Sequence, residues 1–182
     1  RYYLERNPHQ FLEGMLIAAQ VVGTEACYIY LRDEYHGCRA ILQAEIAKLQ
    51  AEPPCPLPII ELRRGAGAYI CGEETAMLES LEGKRGMVRP KPPLPAIRGL
   101  WGKPTVINNV MTLAAVPWIL QHGGAAYAAH GVGRSKGTLP FQLAGNVKYG
   151  GLVEVPFGIT LRALLMDFGG GTASGRPIRT VQ

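Results

Sequence analysis

The stretch PIIELRRGAGAYICGEETAMLES, Pro58 to Ser80, decides the fold. Its apolar opening, Pro58, Ile59, Ile60 and Leu62, suits a buried strand, and Thr75, Ala76, Met77, Leu78 and Leu81 continue as a helix with one apolar face. Between them lies a glycine-rich turn. Gly65 and Gly67 let backbone amides swing toward a bound group, and Gly72 lets a flat ligand approach the main chain. Glu73 and Glu74 open the helix, where the positive end of its dipole favours carboxylates. An ordinary strand-to-helix turn with acidic first-turn residues satisfies the same spacing, so the stretch alone does not select a ligand. Adjacent helical side chains diverge by about 100°, which argues against a paired-carboxylate hydrolase.

Working outward toward the N-terminus, Leu12, Met15, Leu16 and Ala19 recur at helical spacing between Pro8 and Val22, and Gly23 is a natural stop. Cys27 to Leu31, CYIYL, reads as a strand. Asp33 is placed to cap a further helix whose buried face is Tyr35, Cys38, Leu42, Ile46 and Leu49. Pro53, Pro54, Pro56 and Pro58 end that helix and lead into the central strand. Such alternation predicts an α/β fold, a Rossmann-like parallel sheet with flanking helices, whose ligands sit beyond the carboxyl ends of the strands.

Toward the C-terminus, EGKRGMVRPKPPLPAIRGLWGKP is rich in glycine, proline and cations and predicts an ordered loop. Lys91 between two prolines suits either a fixed cationic contact or simple surface solubility. Trp101 reads as a packing anchor. Asn108 or Asn109 can start a helix running through Leu113 and Ile119, with Pro117 kinking or breaking it. His122 to Thr138 loses periodicity and reads as a linker or domain edge. Phe141 to Val147 and Leu152 to Val155 form a hairpin signal, followed by a short helix capped by Thr160 with Leu161, Leu164 and Leu165 inward. This strand, strand, helix order resembles the opening of a β-grasp domain. The division expected is an α/β domain over 1–135 and a partial β-grasp domain over 136–182.

Composition narrows the chemistry. The 182 residues carry a formal charge of +5, concentrated around the central turn at Arg63, Arg64, Lys84, Arg85, Arg89, Lys91, Arg98 and Lys103. An anionic ligand, a solvated face and an acidic partner surface all fit this field, which Glu73, Glu74, Glu79 and Glu82 interrupt. An aromatic-basic nucleic-acid motif is lacking, as is an apolar run of spanning length. Cys27, Cys38, Cys55 and Cys71 are too scattered for zinc or iron–sulfur ligation, and no metal ligand is assigned. Few cysteines in a core-forming chain favour a reducing, cytoplasmic setting. The opening RYYLERNPHQF has neither an initiator methionine nor a signal-peptide layout, and reads as the start of a fragment. A P-loop hydrolase is disfavoured because the glycine turn lacks the Lys-Ser or Lys-Thr ending.

At GAGAYICGEETAMLESLEG, Gly65 to Gly83, with KPP, Lys91 to Pro93, and GLWGKPTVINNV, Gly99 to Val110, the chain resembles the family of flavin-binding NADH dehydrogenase subunits. That family includes the flavin subunit of respiratory complex I, the diaphorase subunits of NAD-reducing hydrogenases and the β subunit of NAD-dependent formate dehydrogenases. EGMLIAA and YIYLRDEY fit the same pattern and lean toward the formate dehydrogenase subunit. LAGNVKYGGLVEVPFGITLRALL resembles the family's soluble-ligand-binding β-grasp domain.

The resemblance implies FMN and NAD as cofactors, with hydride passing directly between stacked rings and no side chain acting as a general base. By motif match, Tyr69, Gly72, Glu73 and Glu74 lie beside the flavin, Lys91 helps hold the dinucleotide, and Ile107, Asn108, Asn109 and Thr112 surround the ribityl phosphate. It implies iron–sulfur and catalytic partner subunits and a 4Fe–4S cluster whose ligands lie outside this chain. The family's glycine-rich flavin loop would precede Arg1, and its cluster cysteines would follow Gln182, so the isolated piece is expected to be inactive. Leu94 stands where the family commonly has an aromatic, and Met111 where glutamate is usual. A non-catalytic subunit-docking module is the alternative.

Overall fold

The structure, a computed structural model, describes residues 1–182. The chain divides into two compact units, Arg1–Trp118 and Ile119–Gln182.

In the first unit, helix α1 (Tyr2–Arg6) precedes α2 (Pro8–Val22). Asn7 separates them and caps α2, its side-chain oxygen accepting from the Gln10 amide at 3.3 Å. Pro8 occupies the first helical turn, where its missing N–H costs no hydrogen bond. Gly23 closes the helix with φ 74°, its amide bonded to the Ala19 carbonyl at 2.9 Å. Strand β1 (Ala26–Leu31), helix α3 (His36–Ala51) and strand β2 (Ile59–Arg64) follow. The strands pair in parallel, from Ala26 opposite Ile59 to Leu31 opposite Arg64. Since parallel neighbours need a long crossover, α3 and the proline segment supply it.

Phe11, Leu12 and Met15 from α2 meet Ile29 and Leu31 from β1 and Cys38, Leu42 and Ile46 from α3 in one buried cluster. Leu42 is completely buried, and truncating such a leucine to alanine costs about 2–5 kcal/mol. Beyond β2 come a 3-10 turn (Tyr69–Gly72), helix α4 (Glu74–Leu81), a second 3-10 turn (Leu100–Gly102) and helix α5 (Val110–His122). Pro117 lies inside α5 without ending it. Its ring removes the amide that would serve the Leu113 carbonyl. That carbonyl faces Gly14 of α2, where an added Cβ would stand 1.8 Å from it. Gln10 Nε2 donates to the Ala114 carbonyl at 2.6 Å, so α2 is fastened to this stretch of α5.

The second unit contains helix α6 (Gly124–Ala128), short strands β3 (Gly131–Val132) and β4 (Ser135–Lys136), and an antiparallel pair, β5 (Thr138–Leu143) and β6 (Gly151–Pro156). Thr160 Oγ1 accepts from the Ala163 amide at 3.1 Å and starts the turn α7 (Leu161–Ala163), which continues as a π-turn to Phe168. Leu143, Val155 and Leu164 form its small core.

Three local expectations change. Asp33 does not cap α3: Tyr35 holds that position without a side-chain bond, and Asp33 pairs with Arg64 instead. Ile59 is exposed while Ile60 is buried, because successive strand residues face opposite ways. Leu161 points to solvent, leaving Leu164 and the half-buried Leu165 to fill the core. The His122–Thr138 stretch, read as an aperiodic linker or domain edge, holds the short elements α6, β3 and β4.

Candidate functional site

Parallel pairing puts the carboxyl ends of β1 and β2 together, with Gly65 N donating to the Leu31 carbonyl at 2.7 Å. The glycine turn leaves from this edge. Gly65 is buried, and a Cβ there would press within about 3 Å of the Tyr30 ring, so any larger residue would require that ring to shift. Gly67 has φ 79°, the left-handed region. Nothing lies within 4 Å of the position a Gly72 Cβ would take, and Tyr69 in the same turn is 92% exposed.

Glu73 is the N-cap of α4. Its Oε2 accepts from the Thr75 amide at 2.9 Å, the Ala76 amide at 2.8 Å and the Thr75 hydroxyl at 2.6 Å. The Thr75 hydroxyl bond, followed by the two amides and Lys91, holds the Glu73 carboxyl below the usual range against the opposing effect of burial. Its other oxygen, Oε1, stands 3.5 Å from Lys91 Nζ, and Lys91 also pairs with Glu74. The hydrogen bond that Lys91 donates to Glu74 leads the effects that raise the Lys91 pKa.

Lys91 comes back to α4 because the loop before it is bolted down. The Arg89 amide donates to Thr75 Oγ1 at 2.9 Å. Its guanidinium reaches Glu79 Oε1 at 2.5 Å, Glu82 Oε1 at 2.8 Å and the Gly99 carbonyl at 3.0 Å. Burial works to raise the Glu82 pKa, but hydrogen bonds from Lys84, Arg89 and the Trp101 amide prevail and bring it down to about 2. Trp101 packs edge-on against Tyr28, with ring centroids 5.4 Å apart. Farther along, Thr105 Oγ1 accepts from the Leu100 amide at 2.9 Å, and the Thr105 amide donates to the Pro95 carbonyl at 2.9 Å.

Of the residues expected to form a site, Glu73, Glu74 and Lys91 are brought into direct contact, beside Gly72 and Tyr69. Ile107, Asn108, Asn109 and Thr112 form a second group at the start of α5. Asn109 Oδ1 accepts from the Met111 amide at 2.9 Å and caps that helix, while Asn108 and Thr112 are exposed. The loop bonds through Gly99 and Thr105 link the two groups along the chain. Thr75 and Arg89 were not among the expected residues. Two glutamates one turn apart at the end of α4, Glu79 and the C-cap Glu82, with basic residues following, are the signal that could have found the latter.

Open backbone at Gly72 and an exposed tyrosine ring leave room for a flat group beside an amino group held by two carboxylates. Fold and site together define the class: an α/β domain built on a parallel crossover, with its glycine turn at the strands' carboxyl edge, where such folds place their ligands. The family described as the Nuo51 FMN-binding domain matches residues 1–118, and the chain belongs to it.

Among related proteins, an NADH-quinone oxidoreductase subunit of Rhizobium meliloti (strain 1021) is 47% identical, over 100% of this chain and 45% of its own length. The NADP-reducing hydrogenase subunit HndC of Solidesulfovibrio fructosivorans is 42% identical, over 100% of this chain and 39% of its own. The crystal structure of an NAD+-reducing [NiFe]-hydrogenase in the H2-reduced state superposes with a TM-score of 0.85 at 39% identity, covering 91% of this chain and 29% of that one. The chain thus spans less than half the length of these relatives. No helix is long and apolar enough to cross a membrane.

Proposed function

We propose that this chain is the FMN- and NAD(H)-binding portion of an electron-transfer subunit that works within a multi-subunit redox complex. When bound, FMN would supply two-electron exchange with NAD(H) and one-electron exchange with iron–sulfur centres. The observation that carries the reading is the convergence of Glu73, Glu74 and Lys91 beside the open backbone of Gly72. Tyr69, Gly72, Glu73 and Glu74 would line the flavin, and Gly65 and Gly67 would shape the turn beneath it. Ile107, Asn108, Asn109 and Thr112 would receive its phosphate, where helix amides and an asparagine side chain are available.

Lys91 would meet the dinucleotide's negative charge. Its two carboxylate partners keep the ammonium protonated and fix its position. No residue is assigned as a general acid or base. Residues 1–135 would form the flavin and dinucleotide domain and 136–182 part of a β-grasp domain. The 4Fe–4S ligands would come from elsewhere in the full-length protein.

At the level of the whole assembly, the opening helix and YIYLRDEY favour an NAD-dependent formate dehydrogenase in the cytoplasm. Quinone- and hydrogenase-linked complexes, to which the relatives above belong by name, are the alternative. Reconstituting the full-length subunit with FMN and following flavin bleaching by NADH tests the cofactor reading; a protein that takes up neither FMN nor NADH refutes it. Identifying the co-purified subunits decides among formate-, hydrogen- and quinone-linked assemblies.

A further inference from the structure

We propose that Thr75 is a positioning residue for the dinucleotide contact, acting through Glu73 on Lys91. The proposal rests on the flavin and NAD(H) reading given above. Thr75 is 2% exposed and directly follows Glu74 in the first turn of α4, where a buried β-branched residue would ordinarily be packing alone. Its hydroxyl has two partners. The Arg89 amide donates to Oγ1 at 2.9 Å, and that amide has only one proton to give. With a lone pair so engaged, the Thr75 hydroxyl proton is directed to Glu73 Oε2, 2.6 Å away.

The same hydroxyl decides which carboxylate oxygen faces outward. Three donors, the Thr75 hydroxyl and the Thr75 and Ala76 amides, converge on Oε2. Oε1 is thereby left to face Lys91 Nζ at 3.5 Å. A cap made by the two amides alone would let the carboxylate rotate and exchange its oxygens. The hydroxyl is the third point that fixes its plane, and it also anchors the main chain two residues before Lys91. One buried oxygen thus touches both ends of the Glu73–Lys91 pair, in addition to the Glu74 contact and the Arg89 guanidinium bonds that also hold Lys91 and its loop. Removing it frees the carboxylate and loosens the loop together, so the amino group spends less time where the dinucleotide needs it.

The test uses the full-length subunit loaded with FMN. Thr75→Val keeps the shape and deletes the hydroxyl; Thr75→Ser restores it without the methyl. Expected for Thr75→Val is an NADH dissociation constant, measured by direct binding, raised about three- to tenfold. KM should rise in parallel, with kcat and FMN content unchanged, and Thr75→Ser should return the affinity to that of the parent. Thr75→Cys, with a weak thiol donor of similar size, gives an intermediate loss and carries the test if the valine variant does not fold. Valine and cysteine variants that melt at lower temperature yet bind NADH like the parent overturn the proposal and leave Thr75 a packing residue. A parent protein that binds FMN but not NADH overturns the functional reading instead, which separates the two failures.

Discussion

Arg89 Nη2 stands 2.8 Å from Glu82 Oε1, with the arginine side chain 24% and the glutamate 8% exposed. The pair fixes the loop that carries Lys91 to the end of α4, the Glu74–Leu81 helix, because the same guanidinium also holds Glu79 and the Gly99 carbonyl. Replacing Arg89 by methionine keeps the stem and strands two carboxylates. Breaking a buried pair in this way costs about 3–5 kcal/mol, and Lys84 and the Trp101 amide soften the loss at Glu82. Arg89→Met should therefore destabilise the protein by roughly 2–4 kcal/mol. Arg89→Lys should recover only part of this, since an ammonium cannot reproduce the three-way planar contact. Urea unfolding of the three proteins measures both.

Glu82 also sets an acid limit. Its carboxyl falls from 4.5 to about 2 on folding, so the folded state binds its proton less readily than the unfolded chain. The resulting stability is fully present above pH 4.5 and is lost as pH falls toward about 2. After allowance for solvent screening the contribution is roughly 1–2 kcal/mol. Glu82→Gln should be less stable than the parent at neutral pH, and the difference should shrink steadily through that window. A gap that stays constant down to pH 2 contradicts the assignment.

Gly14 and Gly37 make a matched pair of helical glycines with opposite expectations. An added Cβ at Gly14 would meet the Leu113 carbonyl at 1.8 Å, backbone that cannot swing aside, whereas nothing lies within 4 Å at Gly37. Gly14→Ala should cost about 1–3 kcal/mol by forcing apart the helices Pro8–Val22 and Val110–His122. Gly37→Ala, near the start of the His36–Ala51 helix, should stabilise by about 0.4–1 kcal/mol by restricting the unfolded chain. Thermal melts of the two variants check the signs.

The regular elements were legible where a local rule had no competitor. Pro8 and Gly23 bound their helix in the structure as the rules for helix ends require, and CYIYL forms the strand paired with Ile59–Arg64. Asp33 followed the capping rule equally well, but parallel register sets Arg64 opposite Leu31, and a cation 31 positions away claims the carboxylate. The Tyr2–Arg6 helix and the two-residue strands after His130 are too short to show a period. In the site, the charges were readable and the reason for their placement was not. Thr75 looks like any apolar-face residue until its hydroxyl is seen bonded on both sides. Gly65 reads as a turn glycine, yet its close neighbour is the Tyr30 ring from the adjacent strand.

Glu74 offers a charge that can be removed without disturbing the helix cap. Glu73 alone accepts the first-turn amides, so Glu74→Gln leaves the cap and the side-chain shape in place. Two electrostatic changes follow, both of one sign. A negative charge disappears from the flavin's proposed surroundings, and Lys91 loses the carboxylate that pairs with it, so its positive charge is less compensated. Either change favours the more negative, reduced flavin, and together they should raise the flavin potential of the full-length protein by on the order of tens of millivolts. Salt should diminish the effect because Glu74 is partly open to solvent, its side chain 41% exposed. A redox titration of the FMN-loaded variant beside the parent, at low and high ionic strength, measures this; superimposable titrations would remove Glu74 from the flavin's electrostatic environment.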